Sequence, residues 1–168
     1  MIKHSGNLEL TTPGDREIVM RRTFNAPRTL VFDAYTKPEL VRQWLGVFGG
    51  NTMSECEIDL RVGGRYRYVW TLEDGSKMGL GGVFREIVVP ERIVATEKFE
   101  EPWYGDEEAQ DTITFEEKDG RTTLTITVLA PSKEAREQML QSGMADGVTA
   151  GYDQLDEILQ ALQAEAKR

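Results

Sequence analysis

The sequence predicts an α+β domain in which a curved antiparallel sheet wraps around a long C-terminal helix. Residues 51–130 contain successive strand-like segments joined by short turns rich in glycine and aspartate, and connections this short make neighbouring strands antiparallel. Two short helical segments precede them and follow a first strand. Residues 144–165 repeat apolar side chains with the period of an α-helix, which gives this helix one face to lay on the sheet.

Length and charge restrict the possible partners. A chain of 168 residues fits one domain, which we expect at residues 16–165 after a flexible lead-in at residues 1–15. The formal net charge of −9 argues against nucleic acid and against an anionic membrane surface as partners. The N-terminus lacks a signal-peptide pattern, and no apolar run reaches the about 20 residues of a membrane span, so we expect a cytoplasmic protein.

Histidine and cysteine are scarce, and this limits the chemistry. His4, in the polar N-terminal stretch, is the one histidine, and Cys56 is the one cysteine. This inventory argues against a Ser-His or Cys-His mechanism and against a zinc site of the usual ligands, and it allows no internal disulfide. The sequence therefore predicts a protein without a metal and without a cofactor.

The first strand and the two short helices follow from local signals. Residues 16–24 alternate in polarity, which predicts a strand. Pro27 suits the first turn of a helix, because its missing N–H is not needed there. Pro38 begins a second short helix, which we expect to run through Leu45 and to end at Gly46.

The rest of the sheet is predicted from six segments. Residues 65–72 alternate strictly, so that Tyr66, Tyr68 and Trp70 fall on one face of the strand. Three aromatic side chains on one face either pack a core or line a pocket for an apolar ligand, and both interpretations stay open. The other strands are expected at residues 52–60, 77–88, 92–99, 111–117 and 122–129.

Two helices are predicted after the sheet. Ser132 caps the first, and Gly143 interrupts the helical pattern before the long second helix. Gly147 and Gly151 lie on the apolar stripe of that helix, although each glycine costs about 1 kcal/mol relative to alanine. Either the helix backbone touches the sheet closely there or an open space adjoins it, and we expect an open space at Gly151.

Several motifs together resemble one known family. The order of the elements is that of a helix-grip fold. The motifs stand at residues 24–39 (FNAPRTLVFDAYTKPE), 44–46 (WLG), 58–64 (IDLRVGG), 82–87 (GVFREI), 90–94 (PERIV) and 142–144 (SGM), the last together with Gly147. The chain is similar to the START-like, or SRPBCC, superfamily, in the branch named after activators of the heat-shock protein 90 ATPase. The resemblance extends over about residues 16–162.

The resemblance implies a deep apolar cavity between the sheet and the last helix, but it names no ligand. The wider superfamily includes lipid and plant-hormone binders, polyketide cyclases and domains attached to oxygenases. One departure concerns the segment after Trp44, where this branch usually has tryptophan-glycine-proline and this chain has Leu45-Gly46-Val47. We therefore expect different contacts at the entrance of the cavity.

The candidate lining residues are those that the predicted strands, the last helix and the adjoining loops turn inward. They are Trp44, Tyr66, Tyr68, Trp70, Met78, Leu80, Phe84, Glu97, Phe99, Trp103, Met144, Val148 and Gly151. Glu97 is either a buried carboxyl group that anchors a ligand or acts as a base, or a paired group at the rim. Trp44 and Trp103 either guard an entrance or close the core.

Binding and catalysis both remain possible functions. The first is a binding protein that holds a small apolar or aromatic molecule. The second is a cofactor-free enzyme of the cyclase or hydrolase type that uses tyrosine and carboxyl groups. The lack of an internal histidine, a metal-ligand set or a nucleophile motif favours binding, and no residue is assigned a catalytic role. A chaperone-interacting protein is a third possibility, and the expected assembly is a monomer or a weak homodimer.

Overall fold

The structure is a computed structural model that describes residues 2–5, 7–101 and 106–167, with side chains described from residue 7 onward. These ranges contain nine strands and four helices. The strands are β1 (Ile2–Ser5), β2 (Leu8–Thr11), β3 (Glu17–Phe24), β4 (Thr52–Ile58), β5 (Arg65–Thr71), β6 (Lys77–Val88), β7 (Arg92–Phe99), β8 (Ala109–Lys118) and β9 (Arg121–Leu129). The helices are α1 (Arg28–Thr36), α2 (Pro38–Val41), α3 (Lys133–Gln141) and α4 (Met144–Ala166).

The strands form one antiparallel sheet in the order β1-β2-β3-β9-β8-β7-β6-β5-β4. Strands β4 to β9 make a meander, in which each strand pairs with the next along the chain. The strand β3 pairs with the last strand, from Glu17 opposite Leu129 to Phe24 opposite Thr122. Because α1 follows β3 and the α3–α4 segment follows β9, these helices start from neighbouring strands, and α1 contacts α4.

The predicted strands agree closely with the observed ones. The strands β6 and β7 have the predicted bounds, and β4, β5, β8 and β9 differ by at most two residues at an end. The turns explain this agreement, because Gly63, Gly75 and Gly120 have φ angles of 85°, 88° and 76°. Glycine adopts positive φ readily, whereas other residues do not, so these turns are visible in the sequence.

The N-terminal segment differs from the prediction. A flexible lead-in is wrong for residues 8–11, which form β2 and pair with β3. Leu8 and Leu10 are 0% and 3% exposed, and burying two leucine side chains contributes about 3–6 kcal/mol. Four residues with two leucines are too short an alternation to indicate a strand by themselves. The domain boundaries stay a prediction.

The helix ends follow the predicted signals with one exception. The hydroxyl of Ser132 accepts a hydrogen bond from the N–H of Ala135 at 3.0 Å and so caps α3. Gly143, with a φ of 83°, separates α3 from α4. The helix α2 is shorter than predicted, since it ends at Val41 and the chain continues in turns through Leu45.

The long helix α4 has two halves with different surroundings. Leu155 and Leu159 in its later half are fully buried in the main core. Its cavity-lining residues all lie between Met144 and Tyr152, in the first half. The helix therefore seals the core at one end and borders an open space at the other. Among the described helices, none is long and apolar enough to cross a bilayer.

Candidate functional site

A cavity of about 470 Å³ lies between the sheet, the first half of α4 and the loop after α2. Its walls are mostly apolar. They comprise Met20, Tyr35, Trp44, Leu45, Gly46, Phe48, Tyr66, Tyr68, Trp70, Met78, Leu80, Phe84, Ile93, Ala95, Glu97, Phe99, Asp111, Ile113, Ile126, Val128, Met139, Ser142, Gly143, Met144, Gly147, Val148, Gly151 and Tyr152. This volume is in the range of small-molecule pockets.

The aromatic face of β5 forms one wall of the cavity. The ring centroids of Tyr66 and Tyr68 are 5.1 Å apart, and those of Tyr68 and Trp70 are 5.9 Å apart. The indole N–H of Trp70 donates to the carbonyl oxygen of Leu45 at 2.8 Å, which ties the loop after α2 to the sheet. Arg65 on the opposite face is exposed, so the predicted register of β5 is confirmed.

The other candidates can now be placed. Twelve of the thirteen predicted residues line this cavity, and Trp103 lies outside the described residues. The strand β6 contributes Met78, Leu80 and Phe84, of which Met78 and Leu80 stand directly opposite Trp70 and Tyr68. These cross-strand pairs follow from the two-residue period of both strands, which keeps partners on one face.

Trp44 closes the core as well as lining the cavity. Its side chain is only 1% exposed, and its indole N–H donates to the carbonyl oxygen of Ala34 at 3.0 Å. Its ring also packs edge-to-face against the ring of Tyr35, with 4.8 Å between the two ring centroids. Of the two roles open for Trp44, packing of the core is therefore the one that the structure supports.

The two glycines of α4 differ in their surroundings. A Cβ atom added to Gly151 would lie 3.0 Å from the backbone oxygen of Trp44, so the helix touches the loop closely there. The open space expected at Gly151 is therefore wrong, even though its backbone borders the cavity. A Cβ atom added to Gly147 would meet only the ring of Phe48, at 3.3 Å. Phe48 is 38% exposed, so the cavity reaches the surface between this loop and the helix.

Two carboxyl groups form a polar region in the cavity. In the pairing of β7 with β8, Asp111 stands opposite Ala95 and Glu97 opposite Ala109, so both carboxyl groups lie on the same face two residues apart. Burial raises the pKa of Asp111 well above its usual range, and the charge of Glu97 and a side-chain hydrogen bond with it raise this pKa further. Asp111 therefore keeps its proton to higher pH than an exposed aspartate.

Tyrosine hydroxyl groups accompany the carboxyl pair. The hydroxyl oxygens of Tyr35 and Tyr152 are 2.8 Å apart, so one donates to the other. Burial is the main cause that raises the pKa of Tyr35, of Tyr152 and of Tyr68, and the charge of Asp111 raises all three further. These phenols stay protonated at neutral pH, so Tyr68 and whichever of Tyr35 and Tyr152 accepts in their mutual hydrogen bond can donate to a ligand.

Asp111, Tyr35 and Tyr152 were not among the candidates, although a signal existed for each. Asp111 begins an alternation with Ile113 and Phe115 that turns inward on β8. Tyr35 lies on the apolar side of α1, and Tyr152 follows Gly151 on the buried face of α4. Alternation gives the inward face of a strand, but only the register between strands shows that Asp111 and Glu97 are neighbours.

Comparisons with known proteins place the chain in a family. The sequence model of the family described as "Activator of Hsp90 ATPase homolog 1-like protein" matches residues 25–160. A solved structure from Rhodobacter sphaeroides has a TM-score of 0.86 at 29% identity, covering 92% of this chain and 99% of that one. One from Staphylococcus epidermidis has a TM-score of 0.77 at 27% identity, covering 89% and 93%.

A more distant structure shows the same fold. The AHSA1-like protein from Aeromonas hydrophila has a TM-score of 0.68 at 18% identity, covering 84% of this chain and 93% of that one. No curated protein matches the sequence. The family match extends over most of the chain, and the structural matches span nearly the full length of each relative. This confirms the resemblance expected from the motifs, and the chain belongs to the activator of Hsp90 ATPase homolog 1-like family, with the helix-grip fold.

Proposed function

We propose that this protein binds a small, mostly apolar molecule in the cavity beside α4. The observation that carries the proposal is a space of about 470 Å³ whose walls are mainly aromatic and aliphatic side chains. A pocket of this size and lining suits a small molecule with one ring or a short chain. The fold is also one that commonly binds ligands.

The expected affinity follows from the apolar surface that the ligand buries. A ligand that loses about 300 Å² of apolar surface to the cavity gains about 7 kcal/mol, at about 25 cal/mol per Å². The loss of translational and rotational freedom opposes this gain. The gain alone corresponds to a dissociation constant of about 10 μM, so once this loss is included we expect dissociation constants of millimolar order from apolar burial.

Tryptophan emission offers a direct test, because Trp44 and Trp70 both line the cavity. A panel of small aromatic and aliphatic compounds should change this emission and raise the melting temperature. Val148→Phe, on the cavity face of α4, should weaken both effects by filling the space. Ala161→Phe on the exposed side of the same helix is the matched control and should bind as the wild type does.

Two results would count against the proposal. If no compound of the panel changes the tryptophan emission or the melting temperature, the case for a binding protein is lost. Equal binding by Val148→Phe and the wild type would move the site away from this cavity. The same samples should also be followed by proton NMR, because chemical conversion of a bound compound would favour the cofactor-free enzyme instead.

A further inference from the structure

The carboxyl pair of the cavity has an unsatisfied hydrogen-bonding atom. The oxygen Oδ1 of Asp111 is buried and accepts no hydrogen bond from any described residue. Buried polar atoms almost always have partners, since an unpaired one has lost its hydrogen bonds to water without replacement. Asp111 also lines the cavity, so a ligand placed there is positioned to supply the missing donor.

No positive charge compensates this pair among the described residues that line the cavity. Three tyrosines from other elements line the same cavity and lie within electrostatic reach of Asp111: Tyr35 of α1, Tyr68 of β5 and Tyr152 of α4. Arg22 of β3 lies near Tyr152, but it pairs with Asp153 at 2.7 Å and does not line the cavity. None of the described lining residues is a lysine, arginine or histidine.

The apolar walls are suited to a cation as well. The faces of aromatic rings carry negative electrostatic potential and attract cations, and Tyr66, Tyr68 and Trp70 form a continuous aromatic wall on β5. A carboxylate on a ligand would meet the carboxyl pair with like charge, and a neutral ligand would leave the charge of the pair uncompensated.

We propose that the ligand is a hydrophobic amine, whose ammonium group pairs with Glu97 and Asp111 while its apolar body lies against the aromatic wall of β5. This inference rests on the proposed binding function and adds the chemical class of the ligand. An ammonium donates up to three hydrogen bonds, which is enough to reach both carboxyl groups.

Binding of an amine should release a proton. Glu97 helps to hold the proton on Asp111, and a bound ammonium reverses that balance because it favours the ionised carboxylate. Since the ammonium itself keeps a pKa near 10.4, its charge is constant between about pH 5 and pH 9. The affinity for the amine should therefore rise with pH in this range, whereas the affinity for a neutral analogue should not.

Three probes that share one carbon skeleton separate the contribution of the ligand's charge to the affinity from the contribution of its apolar body. They are 4-phenylbutan-1-amine, 4-phenylbutan-1-ol and 5-phenylpentanoate, which carry a positive, a neutral and a negative end group. In isothermal titration calorimetry at low salt, the amine should bind about tenfold tighter than the alcohol, and the carboxylate should bind more weakly than both. Titrations of the amine in buffers of different ionisation enthalpy should reveal the released proton.

Two substitutions test whether the carboxyl pair causes the preference. Asp111→Asn and Glu97→Gln keep the shape of the side chains and should each reduce the about tenfold preference for the amine over the alcohol to nearly equal affinity. Asp111→Asn should also abolish the proton release. Glu116→Gln makes the same substitution as Glu97→Gln at an exposed position of β8 and should leave the preference unchanged. Binding of the alcohol by each variant shows that its cavity is intact.

The outcomes distinguish the two proposals. Equal affinity for the amine and the alcohol would refute the proposal that the ligand is an amine, and so would a preference that survives both Asp111→Asn and Glu97→Gln. Neither result would refute the binding of an apolar molecule in the cavity. Tighter binding of the carboxylate would refute the amine too. If none of the three probes binds, the proposed binding function fails together with the amine.

Discussion

Adding one methyl group to each glycine of α4 should have opposite effects on stability. Gly147 and Gly151 are one helical turn apart on the same stripe, so the gain in helix propensity of about 1 kcal/mol from Gly→Ala is common to both. The difference between the two variants therefore reports the surroundings of each position rather than the helix itself.

The magnitude follows from the distances. At Gly151 the new Cβ atom would lie 3.0 Å from the backbone oxygen of Trp44, a buried residue held by its own hydrogen bond. Overpacking of this kind costs about 1–3 kcal/mol, so the net effect is from about zero to 2 kcal/mol of destabilisation. At Gly147 the new atom meets the ring of Phe48, which is partly exposed and can move. That variant should gain up to about 1 kcal/mol.

Urea and thermal unfolding of both variants provide the assay. A difference of about 1–3 kcal/mol between them corresponds to about 2–12 °C in melting temperature for a chain of this size. Gly147→Ala should melt above the wild type and Gly151→Ala at or below it. If both variants are stabilised equally, the close contact between α4 and the backbone of Trp44 does not exist, and open space adjoins Gly151 after all.

Three further predictions concern the buried polar groups and the start of α4. Tyr152→Phe should lower the free energy of unfolding by about 1–3 kcal/mol, because it leaves the buried hydroxyl of Tyr35 without this partner. A double-mutant cycle with Tyr35→Phe should show a coupling energy above about 0.5 kcal/mol, and strictly additive effects would contradict the hydrogen bond. Gly143→Ala should lower the free energy of unfolding by about 1–2 kcal/mol, since the φ of 83° at this position is left-handed. The new Cβ atom would have no neighbour within 4 Å, so this loss reports the backbone conformation alone. Unchanged stability in urea would show that the turn adopts another conformation. Between the ordinary and the raised pKa of Asp111, the folded wild type binds more protons than the unfolded state, so its free energy of unfolding should fall as pH rises through this window. Asp111→Asn should flatten that fall and should be the more stable protein above the window. Parallel curves of stability against pH for the two proteins would refute the raised pKa of Asp111.

The sequence predicted the strands well because their limits are local. The turns at Gly63, Gly75 and Gly120 need backbone angles that glycine supplies, and the period of two on β5 specifies which side chains share a face. The segment with Leu8 was mistaken for a lead-in because its burial comes from pairing with a distant strand.

The polar part of the site was harder to predict. Glu97 and Asp111 come together only through the register of β7 against β8, which is a property of the two strands together. The pattern of α4 indicated correctly that Gly151 needs an explanation, but it could not decide between space and contact. The neighbour that decides it, Trp44, is more than a hundred positions away in the sequence.

Methyl NMR of methionine tests the central claim most directly. Met20, Met78, Met139 and Met144 line the cavity, whereas Met53 does not line it, although it packs in the cluster that contains Trp70. With ¹³C-methyl-labelled methionine, addition of 4-phenylbutan-1-amine should shift the four lining resonances and give intermolecular NOEs to them, whereas Met53 should give no intermolecular NOE. Shifts without NOEs to any lining methyl group, or NOEs to Met53 alone, would contradict the account, because the ligand would then bind elsewhere.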